Sequence, residues 1–394
     1  MPDFDRLARA LEQRRAEHLY RTCRITESPQ APEMIIDGKA VISFCSNDYL
    51  GLANHPKIIE AFTQGAQRWG VGSGAAHLIN GHSGAHAELE IALAEFTGCE
   101  RALLFSTGYM ANLGVASAFI GRHDRVFQDR WNHASLIDAG VMSRAKVQRY
   151  AHTDTDALAA LLNAELNTDT QKQNWVLTDA VFSMDGDLAP LPALAQLCAK
   201  PHSWLVVDDA HGFGVLGPQG RGSCALFNLD QQQIPIVMGT LGKAFGTAGA
   251  FVAGRREIIE TLIQQAHTYV YTTAMPAALA CASLASLELV REEQWRRERL
   301  QQLIQLFHRL IDQAGLPRLA SNTPIQPILV GDSARALRLS QALFEQNILV
   351  TAIRPPTVPV GTARLRITLS AAHTDAQLLR LCETLASVWQ ECPL

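Results

Sequence analysis

The 394-residue chain has no paired cysteines and no long apolar run, and it carries no excess of either charge. Each absence removes a class of protein. Its eight cysteines are scattered, form no CxxC pair and share no zinc-like spacing with histidine. They read as free core thiols in a reducing compartment and leave no metal site. The most apolar stretch, Ala274 to Val290, is interrupted by Pro276, Ser283, Ser286 and Glu288. It falls short of the roughly 20 apolar residues a membrane span requires. A formal charge of −4 gives no electrostatic case for nucleic acid or an anionic membrane as partner. No repeat and no low-complexity tract is present. No GxGxxG follows the first strand of the sheet, which argues against a dinucleotide-binding turn.

What is there reads as a globular, cytoplasmic enzyme: 47% of residues are apolar and 18% charged, enough to bury a large core. The texture divides the chain at residues 45 and 285. Residues 1–45 form an arm: an amphipathic helix with Phe4, Leu7 and Leu11 on one face, then a strand pair, Met34–Asp37 and Ala40–Phe44, turning at Asp37-Gly38. The helix has a transit peptide's arginines, but the interspersed Asp3, Asp5, Glu12 and Glu17 argue against one. It is expected to pack on the body or on a partner subunit. Residues 46–285 alternate strands and helices, the pattern of an α/β domain with a mostly parallel sheet covered on both faces. Expected strands are Arg101–Phe105, Arg125–Gln128, Trp175–Asp179, Trp204–Asp208, Ile236–Gly239 and Ala248–Ala253. They are short and apolar without alternation, as strands buried on both faces should be. A long helix from Pro276 to about Ala314, broken near Arg291, leads into residues 286–394. There strand Ile325–Val330, helix Ala334–Gln346, strands Ile348–Ile353 and Ala363–Leu369, and helix Asp375–Gln390 predict a small α+β domain.

In open parallel sheets ligands sit at the carboxyl ends of the strands, so the residues after each strand are the candidates. Ser106-Thr107-Gly108-Tyr109 is a glycine-bearing turn feeding a helix, suited to phosphate through backbone N–H groups and the helix dipole. His133 follows the second strand. Ser183 lies in the small and acidic turn after the third. Asp208-Asp209-Ala210-His211-Gly212 places two carboxylates where burial is costly unless a partner stabilises them. Thr240-Leu241-Gly242-Lys243-Ala244-Phe245-Gly246 isolates a lysine among small and apolar residues, where desolvation would lower its pKa and make the amine nucleophilic. A phosphate turn, a buried carboxylate and a nucleophilic lysine together meet the needs of pyridoxal phosphate. The lysine forms the imine, and the acid keeps the pyridine nitrogen protonated.

The run Thr240–Gly249 (TLGKAFGTAG) resembles the lysine signature of fold-type I pyridoxal phosphate transferases. Asn47–Leu52 (NDYLGL), Phe182–Asp187 (FSMDGD) and Asp208–Gly212 (DDAHG) narrow the resemblance to the α-oxoamine synthases, which condense an amino acid with an acyl thioester and lose carbon dioxide. Ile353–Arg366 (IRPPTVPVGTARLR) is most similar to the branch that joins L-alanine to a pimeloyl thioester, on CoA or a carrier protein, in biotin synthesis. Siblings use glycine or serine with other acyl-CoA substrates, and an aminotransferase on the same fold is the remoter reading.

The resemblance covers nearly the whole chain and implies roles residue by residue. Lys243 is the Schiff-base lysine, Asp208 the pyridine-nitrogen partner, and His211 and Ser183 the ring-hydroxyl contacts. Gly108, Tyr109 and Thr240 are cofactor and phosphate contacts, and His133 is the imidazole stacked on the ring. Arg366 pairs with the substrate carboxylate, while Arg21 and Thr357 are substrate contacts. It also implies a homodimer in which each site is completed by the neighbour, and Tyr269–Thr273 is the candidate for that contribution.

Overall fold

The computed structural model describes residues 2–166 and 172–393. Among the described residues thirteen strands run in chain order: β1 Glu33–Ile36, β2 Lys39–Ser43, β3 Arg101–Phe105, β4 Arg125–Asp129, β5 Lys146–Tyr150, β6 Asn174–Asp179, β7 Ser203–Asp208, β8 Ile236–Thr240, β9 Ala250–Gly254, β10 Ile325–Gly331, β11 Ile348–Leu349, β12 Thr351–Ile353 and β13 Ala363–Thr368. By contacts the chain divides into two units: residues 1–49, 184–186 and 298–394, and residues 50–183 and 187–297. Sequence texture alone suggested three regions, with the N-terminal arm separate.

The larger unit is built on a seven-stranded sheet in the order β3-β9-β8-β7-β6-β4-β5. Strands β5, β4, β6, β7 and β8 pair in parallel. β9 runs antiparallel to both of its neighbours. The strand expected at Ala248–Ala253 therefore starts two residues later and points the other way. The reason is the connection: nine residues, Leu241–Gly249, link β8 to β9, too few for a parallel crossover. Central strands β4, β6 and β9 are buried at every position: β9 is apolar or small throughout, whereas β4 and β6 set apolar centres, Val126-Phe127 and Trp175–Leu177, between buried polar ends. One core cluster packs Val126, Trp175, Val206, Ile236 and Val252 beneath helix residues Val115, Leu136, Ile259 and Leu262. A second packs Phe127, Val176, Leu205 and Val207 against Leu158, Leu162, Leu191 and Leu194. β5 was not expected from sequence; it is an edge strand with only Tyr150 fully buried.

The smaller unit holds two three-stranded sheets, β1-β2-β11 and β10-β13-β12. The single strand expected at Ile348–Ile353 divides at Val350: β11 pairs in parallel with β2, and β12 pairs antiparallel with β13. That pairing of β11 with β2 ties the N-terminal hairpin to the C-terminal segment. Helix Ser333–Glu345 is capped by Asp332, whose carboxylate accepts from the Arg335 N–H. Helix Asp375–Glu391 opens with a reciprocal Thr374–Gln377 capping box. The long helix breaks close to where expected, at Glu293, into Ala277–Glu292 and Gln294–Gln313. The N-terminal helix Phe4–Ala16 buries none of its residues, and Phe4, Leu7 and Leu11 stay exposed. Among the described residues no helix is long and apolar enough to cross a membrane.

Candidate active site

In the larger unit the parallel strands deliver their last residues to one edge of the sheet, where most of the expected site residues sit. Asp208 ends β7 and is buried. Its Oδ1 accepts from the Ala210 N–H at 3.0 Å and its Oδ2 from Asn112 Nδ2 at 2.7 Å. These two donors fix the plane of the carboxylate. Its neighbour Asp209 is fully buried and faces elsewhere, accepting from the Ser223 N–H at 2.6 Å and the Ser223 hydroxyl at 2.7 Å. Burial pushes Asp209 up to about 7 against the pull of those bonds. Only glycine fits at 212 and 222, because a Cβ there would come within 2.0 and 2.3 Å of the Asp209 carboxylate oxygens.

Lys243 lies in the link between antiparallel β8 and β9, not in a strand-to-helix turn. The loop closes through Leu241 N–H to Gly249 O at 2.9 Å, Gly246 N–H to Lys243 O at 2.8 Å and Thr247 N–H to Leu241 O at 2.9 Å. Thr240 accepts from Gly242 N–H at 3.3 Å and donates to Gly249 O at 3.1 Å. Gly246 has φ +65°, and a Cβ would meet Ala53 N at 2.4 Å, so the loop's shape requires glycine. The result is a half-buried lysine whose Nζ lies 2.8 Å from Nε2 of His211, itself buried just beyond β7.

His133 caps helix Ala134–Met142. Its own N–H donates to the buried Asp179 carboxyl at 2.7 Å. Burial first, and the Asp208 charge second, hold Asp179 well above the usual carboxylate range. The His133 ring keeps an exposed edge, yet its pKa is lowered, because desolvation outweighs the attraction of Asp208. Nδ1 of the ring contacts Ser135 Oγ at 2.7 Å, and Ser135 Oγ accepts from Asn112 Nδ2 at 2.8 Å. Tyr109 meets the His133 ring edge-on, with centroids 6.3 Å apart, and its hydroxyl bonds Asp138. Thr107 caps helix Gly108–Phe119 by accepting from the Met110 N–H, which leaves Gly108 and Tyr109 as the first-turn amides of the expected phosphate turn. A Cβ on Gly108 would press on the Met238 side chain at 3.3 Å. Ser183 is half-buried after the Val181 bridge to Leu188.

The remaining three candidates belong to the smaller unit. Arg366 is buried on β13 and its Nη2 donates to Asn47 Oδ1 at 3.2 Å. Arg21 and Thr357 are exposed and meet at 3.5 Å. Asn112, Ser135 and Asp179 were missed from sequence. Asn112 left a trace: it is a lone amide in the otherwise small and apolar helix Gly108–Phe119, where an isolated buried polar group needs partners.

Residues 39–385 match the family model of class I and II aminotransferases. The 8-amino-7-oxononanoate synthase of Thioalkalivibrio sulfidiphilus is 61% identical over 95% of each chain. That of Cellvibrio japonicus is 57% identical over 97% of this chain and 95% of its own. The chain belongs to the 8-amino-7-oxononanoate synthases of the class I and II aminotransferase family. It is a pyridoxal-phosphate-dependent acyltransferase of the biotin pathway, with an α/β fold of mostly parallel strands. Among solved structures, a Sphingomonas wittichii serine palmitoyltransferase superposes with a TM-score of 0.92 at 28% identity, covering 99% of this chain and 98% of its own. The Francisella tularensis 8-amino-7-oxononanoate synthase gives a TM-score of 0.77 at 35% identity, covering 89% and 98%. The synthases of this group and the palmitoyltransferase thus share a fold across a wide gap in sequence.

Proposed function

We propose that the chain condenses L-alanine with a pimeloyl thioester, carried on CoA or a carrier protein, and releases 8-amino-7-oxononanoate, the free thiol and carbon dioxide. The observation that carries this reading is the convergence of the Lys243 amine, the His211 imidazole and the doubly held Asp208 carboxylate at one sheet edge. Their chemistry fits pyridoxal phosphate. Lys243 supplies an amine for its aldehyde, and Asp208 an anion held by two donors. The helix start at Gly108 and Tyr109 supplies amides for its phosphate, with Thr240 beside Lys243 in chain. His133 supplies a flat ring for its face, and His211 and Ser183 are the polar groups for its hydroxyl. When bound, that cofactor supplies an electron sink for the bonds at the alanine Cα.

The chain's own residues do the rest. Asp208, fixed by Asn112 and the Ala210 amide, would hold a proton on the cofactor's ring nitrogen. Lys243, once its amine is released by the incoming alanine, takes the Cα proton as general base. The Cα–acyl bond then forms as the carbon–sulfur bond breaks, and the thiolate leaves with a proton. The Cα–carboxyl bond breaks next, carbon dioxide departs, and a proton returns to Cα. For Arg366 we propose the pairing with the substrate carboxylate that its sequence context implies, and for Arg21 and Thr357 the further substrate contacts.

Carboxyl-labelled alanine and a free-thiol assay test the reading together. Labelled carbon dioxide and thiol should appear in equal amounts with pimeloyl-CoA, and alanine alone should give little of either. Pyruvate accumulating at the main rate, with the label retained in acid form, would favour transamination. Equal turnover with glycine or serine and another acyl-CoA would favour a sibling condensation.

A further inference from the structure

Behind His133 runs a line of polar groups that ends at Asp208. We infer that Ser135 and Asn112 are positioning residues that hold His133 as the tautomer protonated at Nε2, so that the histidine meets the site as a hydrogen-bond donor. The assignment follows from which groups can only donate. The Ser135 backbone N–H points at Nδ1 of His133 from 3.3 Å, and a backbone N–H has no lone pair to offer in return. Nδ1 must therefore be the acceptor, and the ring proton sits on Nε2. The Ser135 hydroxyl, 2.7 Å from the same nitrogen, adds its own proton to that acceptor.

Ser135 Oγ is free to donate there because its lone pair is engaged by Asn112 Nδ2 at 2.8 Å. The orientation of the Asn112 amide is in turn dictated by Asp208. With the amide reversed, its oxygen would lie 2.7 Å from the Asp208 carboxylate, two acceptors in contact. So the carboxylate orients the amide, the amide orients the hydroxyl, and the hydroxyl joins the backbone N–H in fixing the tautomer. Asn112 Oδ1 is buried and finds no partner among the described residues, the cost of placing both N–H bonds of the amide in this line. Desolvation keeps the ring's pKa below its ordinary value, consistent with a neutral imidazole at pH 7. A neutral ring donating through Nε2 suits an acceptor oxygen on a substrate and cannot take a proton there, which leaves Lys243 as the base. That last role rests on the proposed condensation, whereas the tautomer does not.

The test uses holoenzyme labelled with 15N-histidine, read by two-bond nitrogen–proton correlation, with the His133 signals identified by their loss in His133→Gln. Wild type should show a lone-pair-bearing Nδ1 and a protonated Nε2 as a single tautomer. In Ser135→Ala the two nitrogen shifts should move toward each other, and kcat/KM should fall about tenfold, the worth of one well-made hydrogen bond. Ser135→Thr, which keeps the hydroxyl, should restore both. A protonated Nδ1 or a charged ring in wild type overturns the inference, and this spectrum alone decides it even where a variant fails to fold. Unchanged shifts in Ser135→Ala overturn the part assigned to Ser135. The expected tautomer in an enzyme that fails to condense alanine with pimeloyl-CoA upholds this inference and overturns the proposed reaction.

Discussion

Two adjacent aspartates, Asp208 and Asp209, show how far neighbours decide what a residue does. Asp208 accepts from Asn112 on helix Gly108–Phe119 and from the Ala210 amide in the turn after β7, while Asp209 is spent on Ser223. Asp208→Asn should bind cofactor yet lose at least about 100-fold in turnover, roughly 2.7 kcal/mol, because the charge that holds the ring proton is gone. Asp209→Asn should act the other way round. Its amide would turn a donor toward the Ser223 N–H, weakening bonds worth about 1–3 kcal/mol in all. The melting temperature should drop by roughly 5 °C, while turnover per folded molecule stays near normal. Cofactor absorbance, turnover and thermal melts on the two variants separate these outcomes. A large turnover loss in Asp209→Asn alone would reverse the assignment. Borohydride treatment of the holoenzyme followed by peptide mapping should likewise leave the cofactor on the peptide that holds Lys243, and an adduct on another lysine would remove it from the role.

The loop that carries His133 is braced by a second histidine. His152 puts Nδ1 3.0 Å from Asp129 and Nε2 2.7 Å from Asp187, stacks on Trp131 at 4.0 Å and meets Phe182 edge-on at 4.4 Å. Asp129 also accepts from the Trp131 and Thr153 amides, so one imidazolium joins the end of β4, the segment after β5 and the turn at Asp187. Burial alone would lower the pKa of His152, but its bonds to the two carboxylates more than offset this and raise it to about 9. A raised histidine pKa means that the native state holds the proton more tightly than the unfolded chain. The resulting stability is complete below about pH 6.5 and is lost as pH rises through about 9. His77 has the opposite sign. Burial, then its neighbours His86 and His82, lower it to about 4, so its contribution is present above about pH 6.5 and is lost as pH falls toward 4. Melts across pH 5 to 10 should show an alkaline fall that His152→Gln flattens by something on the order of 5 °C. An alkaline limb identical in wild type and variant would show that the brace carries no charge-dependent stability.

Elements with strong apolar character were legible before the structure, and so were the residues that end them. β3 matches its expected bounds, Asp208 ends its strand, and Lys243 and His211 follow theirs as expected. What escaped was whatever depends on a distant partner. β5 reads as KVQRY, polar enough for a loop, and is a strand only because β4 pairs with it. The direction of β9 is set by the length of a connection, which a hydrophobic pattern does not encode. Ser135 and Asp179 look like ordinary polar residues until the fold brings Asn112 and the His133 amide to them. Tyr269, expected to reach a neighbouring subunit, instead turns inward, stacked on His77 at 4.8 Å and edge-on to Phe105 at 5.9 Å.

At the scale of the whole molecule, the surface around that tyrosine carries the last prediction. Residues 75–76 and 273–274 run side by side, joined by the Ala76–Thr273 bridge and by Ala274 N–H to Ala75 O at 3.0 Å. The turn of π-helix His77–Gly81 folds tightly against its own start, where a Cβ on Gly81 would lie 2.2 Å from Ala75 O. It holds Leu78 and Ile79 outward. Beyond them Val71 and Tyr271 are exposed as well, at 84% and 79%. Large apolar side chains gathered at paired segments mark an interaction surface. We propose that a second copy of the chain covers this one, and that the neighbour's contribution comes from Tyr271–Thr273. The wild type should sediment as a dimer, and Ile79→Asp combined with Tyr271→Asp should shift it to monomer. Complementation tests the sharing of sites directly. Lys243→Ala and an inactive Tyr271 variant, unfolded and refolded together, form mixed dimers in about half of cases, and each mixed dimer has one intact site of two. Activity should then return to about a quarter of wild type, the product of those two halves. A wild-type monomer, or mixed dimers without activity, would mean that each chain builds its site alone.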